Sequence, residues 1–218
     1  MSTCLVTAGA TRNPIDAIRF MSADASGRTG ISLSSALNKA GVAVHLLGSR
    51  EALLRQRLAE AHGNDTPSPL SKEEYGSTRD LMARMKAWVQ ATPSGAVIHS
   101  AAVGDYEATA LASKISSGAA ELSIQLHPTP KILDHLRAWG LTGPLVSFKA
   151  ASPETTDAKL VEIARAQLHR SGSDLVFANI IGRTTTGVHL VSAHSDRAFD
   201  ARSDAIAALV DWLQDRLA

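Results

Sequence analysis

Short apolar runs alternate along this chain with longer stretches whose apolar residues recur at helical spacing. The first run, Thr3 to Ala8, predicts a strand, and the loop Gly9-Ala10-Thr11-Arg12-Asn13-Pro14 follows it. Ile31, Leu33, Leu37 and Ala40 then predict a helix over about Gly27 to Ala40, stopped by Gly41. Val42 to Leu47 reads as the second strand, and Gly63 to Ser71 as a loop rich in turn residues. Leu81, Met82, Met85 and Val89 form one stripe of a helix over Thr78 to Ala91, and Ala96 to Ala101 is a third strand.

A long non-helical segment, Asp105 to Gly118, comes next. Leu122, Ile124 and Leu126 alternate with Ser123 and Gln125, which predicts a half-buried strand. A helix is expected to open near Pro130 with Thr129 as its cap. Further on, the pattern gives a strand over Pro144 to Phe148, a helix over Asp157 to His169, and a turn at Ser171-Gly172-Ser173. A strand over Asp174 to Asn179, a weaker one over Val188 to Ser192, and a helix from about Ser203 to the end complete it.

Alternation of this kind predicts an α/β fold: a Rossmann-like, doubly wound, mostly parallel sheet with helices on both faces, in one domain over 1–218. Strands apolar on both faces need helices on both sides of the sheet. Ligands of such sheets bind beyond the carboxyl ends of the strands. The residues to examine are therefore Gly9 to Arg12, Ala101 to Asp105, Lys149 to Ala151 and Asn179 to Arg183.

Composition narrows the classes. The 218 residues are 44% hydrophobic, enough for a full core, and the net charge of +1 gives no global field toward nucleic acid or membrane surfaces. Cations that hold anionic substrates must then be placed locally. The single cysteine, Cys4, excludes an internal disulfide and a cysteine-based zinc site, and reads as a buried structural thiol. No apolar stretch approaches the roughly 18 residues of a membrane span. Met1 is followed almost at once by a strand-like run, so a cytoplasmic chain without a signal peptide is expected. The eight histidines form no cluster, and no metal site on the protein is expected.

Four segments carry candidate chemistry. Thr7-Ala8-Gly9-Ala10-Thr11-Arg12 is a strand-to-loop turn of small residues whose N–H groups phosphates could approach. In Arg19-Phe20-Met21-Ser22-Ala23-Asp24-Ala25-Ser26-Gly27-Arg28-Thr29-Gly30, Ser26 is a natural helix N-cap. Gly27 and Gly30 permit close approach there, and a helix N-terminus attracts anions. Ala101 and Ala102 in Ser100-Ala101-Ala102-Val103-Gly104-Asp105 leave a flat floor for a base or sugar, with Asp105 as acceptor. Lys114 in Lys114-Ile115-Ser116-Ser117-Gly118 can close over phosphates from a mobile loop. Each segment alone also reads as an ordinary turn, capped helix, strand end or solvated lysine.

In this order, and with Thr129-Pro130-Lys131-Ile132, Ser147-Phe148-Lys149 and Asp174 to Arg183, the segments resemble the phosphopantothenoylcysteine synthetase (phosphopantothenate–cysteine ligase) family. The likeness runs from about Cys4 to Arg183, is poor after Arg183, and is to the family's free-standing form. The flavin-dependent decarboxylase domain of bifunctional relatives is not expected, nor is flavin. The resemblance implies an amide ligase acting on 4'-phosphopantothenate and L-cysteine through an acyl-nucleotide, with CTP or ATP as co-substrate, Mg²⁺, and a homodimer.

By the same resemblance Lys114 and Asn179 are catalytic, and Arg19 and Asn179 bind substrate. Gly9, Thr11, Ser26, Gly27, Ala101, Ala102, Asp105, Pro130, Lys131, Phe148 and Lys149 bind the nucleotide. Relatives carry Asn where this chain has Ala23, and Ala cannot make that side chain's hydrogen bond to the acid. Two other readings stand beside the ligase. One is a weakened relative that binds nucleotide or pantothenate derivatives, supported by Ala23. The other is a nicotinamide-dependent reductase, which lacks its Tyr-x-x-x-Lys pair because Tyr75 precedes Arg79 and Tyr106 precedes Ala110.

Overall fold

The computed structural model describes residues 2–61, 71–118, 120–183 and 186–217. Its elements in chain order are β1 (Thr3–Ala8), β2 (Arg12–Pro14), β3 (Phe20–Ser22), α1 (Arg28–Lys39), β4 (Ala43–Gly48), α2 (Arg50–Ala61), β5 (Ser71–Glu74) and α3 (Thr78–Ala91). Then come β6 (Ala96–His99), β7 (Tyr106–Ala108), β8 (Leu126–Pro128), a 3-10 helix (Ile132–His135), β9 (Leu145–Ala151) and α4 (Asp157–Ser171). β10 (Leu175–Ile180), β11 (Val188–Val191), β12 (Asp196–Phe199) and α5 (Arg202–Leu217) follow.

Eight strands form one sheet in the order β12-β11-β10-β9-β6-β1-β4-β5. The six from β10 to β5 are parallel, and the β11–β12 hairpin is antiparallel at one edge. Counting the parallel strands alone, the order is that of a doubly wound dinucleotide-type sheet, which reverses at β1 between β4 and β6. The expected fold class is therefore the observed one.

Side-chain alternation explains both helical layers. Cys4, Val6 and Ala8 of β1 face one core with Leu33 and Leu37 of α1, Ala52 and Leu53 of α2, and Leu209 and Leu213 of α5. Leu5 of β1 and Val97 of β6 face the opposite core with Leu81, Met85 and Val89 of α3. Under α4, Leu160, Ala164 and Leu168 meet Val176, Ala178 and Ile180 of β10. Cys4 is buried, and that burial pushes its thiol well above the usual range, as a structural thiol requires. Among the described residues no helix is long and apolar enough to cross a membrane.

Several local expectations are corrected. The N-cap of α1 is Gly27 at φ 75°, with no side-chain cap, so Ser26 does not cap it. The helix expected from Pro130 is a 3-10 helix starting at Ile132, and Thr129 does not cap it because its hydroxyl donates to the Gly104 carbonyl at 2.6 Å. Leu122, Ile124 and Leu126 are all exposed, and only Leu126 enters a strand, so alternation there marks no buried face.

Helix α2 carries no sequence expectation. Its buried face is Ala52, Leu53 and Gln56, while Leu54 and Leu58 point outward, which obscures any stripe. β5, β7, β12 and the β2–β3 hairpin also lack a signal in the pattern. The loop over Gly63–Ser71 lies outside the described residues apart from Ser71, which opens β5.

Candidate functional site

The crevice opens where the strand order reverses, at the carboxyl ends of β1 and β6. The loops after these strands are stitched together: Ala102 N–H donates to the Gly9 carbonyl at 2.9 Å, and Thr11 N–H donates to the Ala102 carbonyl at 3.1 Å. Gly9 holds φ 92°, and a Cβ there would stand 2.1 Å from Ser49 Oγ. A Cβ on Gly30 would stand 2.6 Å from the Cβ of Ala8 and 2.8 Å from Ser100 Oγ, so glycine lets the first turn of α1 press against the strand ends.

Two cavities flank this seam. The larger, about 640 Å³, is lined by Ala101, Ala102 and Asp105 after β6, and by Pro130 and Lys131 before the 3-10 helix. Phe148 and Lys149 of β9 and Asn179 of β10 complete that lining. The smaller, about 430 Å³, lies at the N-terminus of α1 and is lined by Gly9, Ser26, Gly27, Arg28 and Gly30. Asp24, Ala25, Thr29, Ser100 and Arg202 line both, so the two are neighbouring compartments.

Most of the residues read from sequence thus converge on these walls. Thr11 does not line either cavity. It is fully buried, where its Oγ1 accepts the Gly104 N–H at 2.9 Å and the Thr78 hydroxyl at 3.1 Å. Its part is to hold the two loops together.

Arg19 and Lys114 do not line the cavities either. Asp16, whose side chain is wholly buried, holds Arg19 and the Lys114 loop together near the tip of the β2–β3 hairpin. Its Oδ1 accepts the N–H groups of Ile18 and Arg19 at 2.9 and 2.8 Å. Its Oδ2 accepts the Ile115 N–H at 2.9 Å and pairs with the Arg19 guanidinium. These bonds, that of Ile115 foremost, hold its carboxyl well below the usual carboxylate range. Lys114 itself is exposed.

Several cavity groups carry no sequence signal. His99 ends β6 on the cavity floor, 7% exposed, with Nδ1 3.0 Å from Thr7 Oγ1. Burial lowers its pKa to about 4, so the imidazole is neutral at physiological pH. Its position at the end of an aliphatic strand is the one feature that could have singled it out.

Phe148 stacks on Phe177 with centroids 4.7 Å apart, and the Arg202 guanidinium lies 5.0 Å over the Phe177 ring. Arg202 also donates to Thr29 Oγ1 at 2.8 Å, and desolvation depresses its pKa. Gln167 Nε2 donates to Ser147 Oγ at 3.0 Å and to the Phe148 carbonyl at 3.1 Å, which fixes the wall of β9. Lys131 pairs with Asp105 across the mouth, both exposed.

The cavities therefore carry Lys131, Lys149, Arg170, Arg28 and Arg202 against the carboxylates of Asp24 and Asp105. Among the described residues no group of three or more His, Cys, Asp or Glu is placed to hold a metal. Asp24 and Asp105 are the carboxylates on these walls that would face a hydrated Mg²⁺, an ion that keeps most of its waters. Ala23 stands on the wall of the larger cavity, and the neighbouring Ser22 hydroxyl turns away to the Ala23 carbonyl at 3.1 Å.

Residues 1–202 match the family model described as the DNA/pantothenate metabolism flavoprotein C-terminal domain. The chain is 31% identical over 179 residues to the coenzyme A biosynthesis bifunctional protein CoaBC of Thermococcus kodakarensis, a match covering 81% of this chain and 41% of that protein. It is 30% identical over 187 residues to the protein of the same name from Escherichia coli, covering 84% and 42%. The chain thus spans about two fifths of the length of these relatives.

Among solved structures, the DNA/pantothenate metabolism flavoprotein of Streptococcus pneumoniae superposes with a TM-score of 0.83 at 26% identity, over 99% of each chain. A Cab2 mutant in complex with phosphopantothenate-cysteine shares the fold, with a TM-score of 0.79 at 18% identity over 99% of this chain and 87% of that one.

Proposed function

This chain belongs to the DNA/pantothenate metabolism flavoprotein C-terminal domain family, and from that premise we propose that it joins 4'-phosphopantothenate to L-cysteine through an acyl-nucleotide, the second step from pantothenate in coenzyme A biosynthesis. Family membership sets the nicotinamide-dependent reductase aside. The observation that carries the proposal is convergence. Five separated segments, ending β1, opening α1, following β6, preceding the 3-10 helix and within β9, line two adjoining compartments at the carboxyl ends of the strands.

The chemistry sets the requirements. The carboxylate is resonance-stabilised and does not react with an amine unaided. One of its oxygens attacks the α-phosphorus of CTP or ATP, forming the acyl-nucleotide, while the bond to the β-phosphate breaks and pyrophosphate leaves. The cysteine amine then attacks the acyl carbon, loses a proton, and releases the nucleoside monophosphate.

Two polyanions must meet in the first step, and each contact between unit charges costs roughly 4 kcal/mol at the effective dielectric of a protein surface unless it is neutralised. Mg²⁺ bound to the nucleotide supplies part of that neutralisation. The chain supplies the rest. Ala101 and Ala102 give a flat floor for sugar and base, Phe148 gives an apolar wall, and Asp105 is an acceptor for the ribose or base. The N-terminus of α1 with Arg28 faces phosphate oxygens. Asn179, 7% exposed at the end of β10, lines the cavity as a polar contact for the acid.

Lys114 stabilises charge on the α-phosphate of the transferring nucleotidyl group, and Arg19 holds the phosphopantothenate. Both lie off the single-chain cavities, which supports a homodimer in which the Lys114 segment of one subunit reaches the site of the other. Phe20, Leu111, Leu122, Ile124 and Leu126, exposed on and beside the two hairpins, offer an apolar face for that assembly. The reading keeps the protein cytoplasmic, with small-molecule substrates and no nucleic-acid or membrane partner. A relative that binds but turns over weakly is the second reading, favoured by Ala23 on the cavity wall.

The test is pyrophosphate release with phosphopantothenate, cysteine, Mg²⁺ and CTP or ATP in turn. Release that requires phosphopantothenate, with one nucleotide preferred, supports the ligase. Binding of both substrates without release supports the second reading.

A further inference from the structure

Lys114 is exposed on a segment that lacks regular secondary structure from 109 to 118, yet a transition-state role needs its backbone held. Two hydrogen bonds fix that segment to the β2–β3 hairpin. Leu111 N–H donates to the Ile15 carbonyl at 3.0 Å, and Ile115 N–H donates to Asp16 Oδ2 at 2.9 Å. The Arg19 guanidinium adds a longer contact to the Ile115 carbonyl at 3.4 Å.

Asp16 divides its work between its two oxygens. Oδ1 closes the hairpin turn through Ile18 and Arg19 N–H, whereas Oδ2 reaches across 99 residues of sequence to the loop. The second oxygen serves both the Arg19 guanidinium of the hairpin and the Ile115 N–H of the loop, and so joins the two.

We propose that Asp16 is a positioning residue for the reaction: its Oδ2 clamps the Lys114 loop and the Arg19 side chain to one point, so that the loop cation and the substrate-binding cation are presented together. This rests on the role proposed above for Lys114.

Asp16→Asn separates the two jobs. The amide oxygen keeps the turn bonds, while the amide NH₂ faces the Ile115 N–H and the Arg19 guanidinium, both donors, and the clamp is lost. At saturating substrates and well below the unfolding midpoint, which should itself fall because the depressed carboxyl stabilises the fold, the rate of acyl-nucleotide formation should drop roughly tenfold or more, and exchange of the Ile115 amide should accelerate by about tenfold. On the Lys114→Gln background the same change should lower the rate by less than about twofold, since residues acting as one unit are not additive. Ile115→Pro removes the same donor, and its ring also fixes φ at 115 and restricts Lys114 before it, so it should slow the reaction at least as much as Asp16→Asn.

Unchanged Ile115 exchange in Asp16→Asn, a near-normal rate in Asp16→Asn or in Ile115→Pro, or losses that multiply with Lys114→Gln would overturn the assignment. Normal turnover in Lys114→Gln itself would instead defeat the underlying role of the loop lysine, which is a separate outcome.

Discussion

Thr7 Oγ1 lies 3.0 Å from His99 Nδ1, joining two buried side chains at the carboxyl ends of adjacent parallel strands. The same Thr7 oxygen accepts the Ala101 N–H at 3.0 Å, so this pair fixes the first residue of the cavity floor. A neutral imidazole is needed here, because a buried cation without a counter-charge is costly.

That burial sets a pH dependence. The ordinary His value is 6.5 and the folded value is about 4, so between them the unfolded chain binds a proton that the folded chain refuses. Stability from this site is full above about pH 6.5 and falls as the pH drops toward 4, by about 3 kcal/mol in total. Denaturant titrations at stepped pH should show this slope in the wild type and lose most of it in His99→Gln. An equal slope in both would assign it to other groups.

Glycine at 9 serves two purposes, and a comparison separates them. Gly9 and Gly41 both hold positive φ, at 92° and 82°, but a Cβ at Gly9 meets Ser49 while a Cβ at Gly41 meets nothing within 4 Å. Gly41→Ala should cost about 1 kcal/mol from backbone strain alone. Gly9→Ala should cost about 2–4 kcal/mol and also weaken nucleotide binding, because strain adds to overpacking. Chemical denaturation of the two variants checks this, and equal losses would remove the packing argument.

The fold was legible because its strands are apolar on both faces. Thr3–Ala8 and Thr78–Ala91 stand at the boundaries their patterns predict. Where tertiary packing overrode local signals, the reading failed. Gly27 caps α1 in place of Ser26, since only a glycine fits at positive φ beside Gly9 and Ala52. Gln56 is buried in α2 while Leu54 is exposed, which erases the stripe. On the cavity walls, Gly9, Ala101, Ala102 and Asp105 were legible from motifs that end strands, whereas Thr11, in one of those motifs, lines neither cavity. His99, Gln167 and Arg202 were not legible, because their place on the cavity wall depends on which strands become neighbours.

Lys114→Gln should lower acyl-nucleotide formation by roughly two orders of magnitude or more while leaving the fold intact. Single-turnover kinetics beside a far-ultraviolet circular dichroism spectrum measure both. Near-normal turnover would remove the loop lysine from the mechanism.

Ala23→Asn adds the amide that the resemblance places at this point of the cavity wall. The expected outcome is a rate or phosphopantothenate KM improved by roughly tenfold, the effect of about one added hydrogen bond to a charged group. An unaltered or poorer enzyme would mean that this chain meets the acid by another route.

The measurement closest to the central claim is a crystal structure with Mg²⁺ and CTP or ATP bound. The account predicts the sugar and base over Ala101 and Ala102 beside Asp105 and Phe148, with phosphates turned toward Gly9 and the first turn of α1. A triphosphate seated away from both compartments would contradict it.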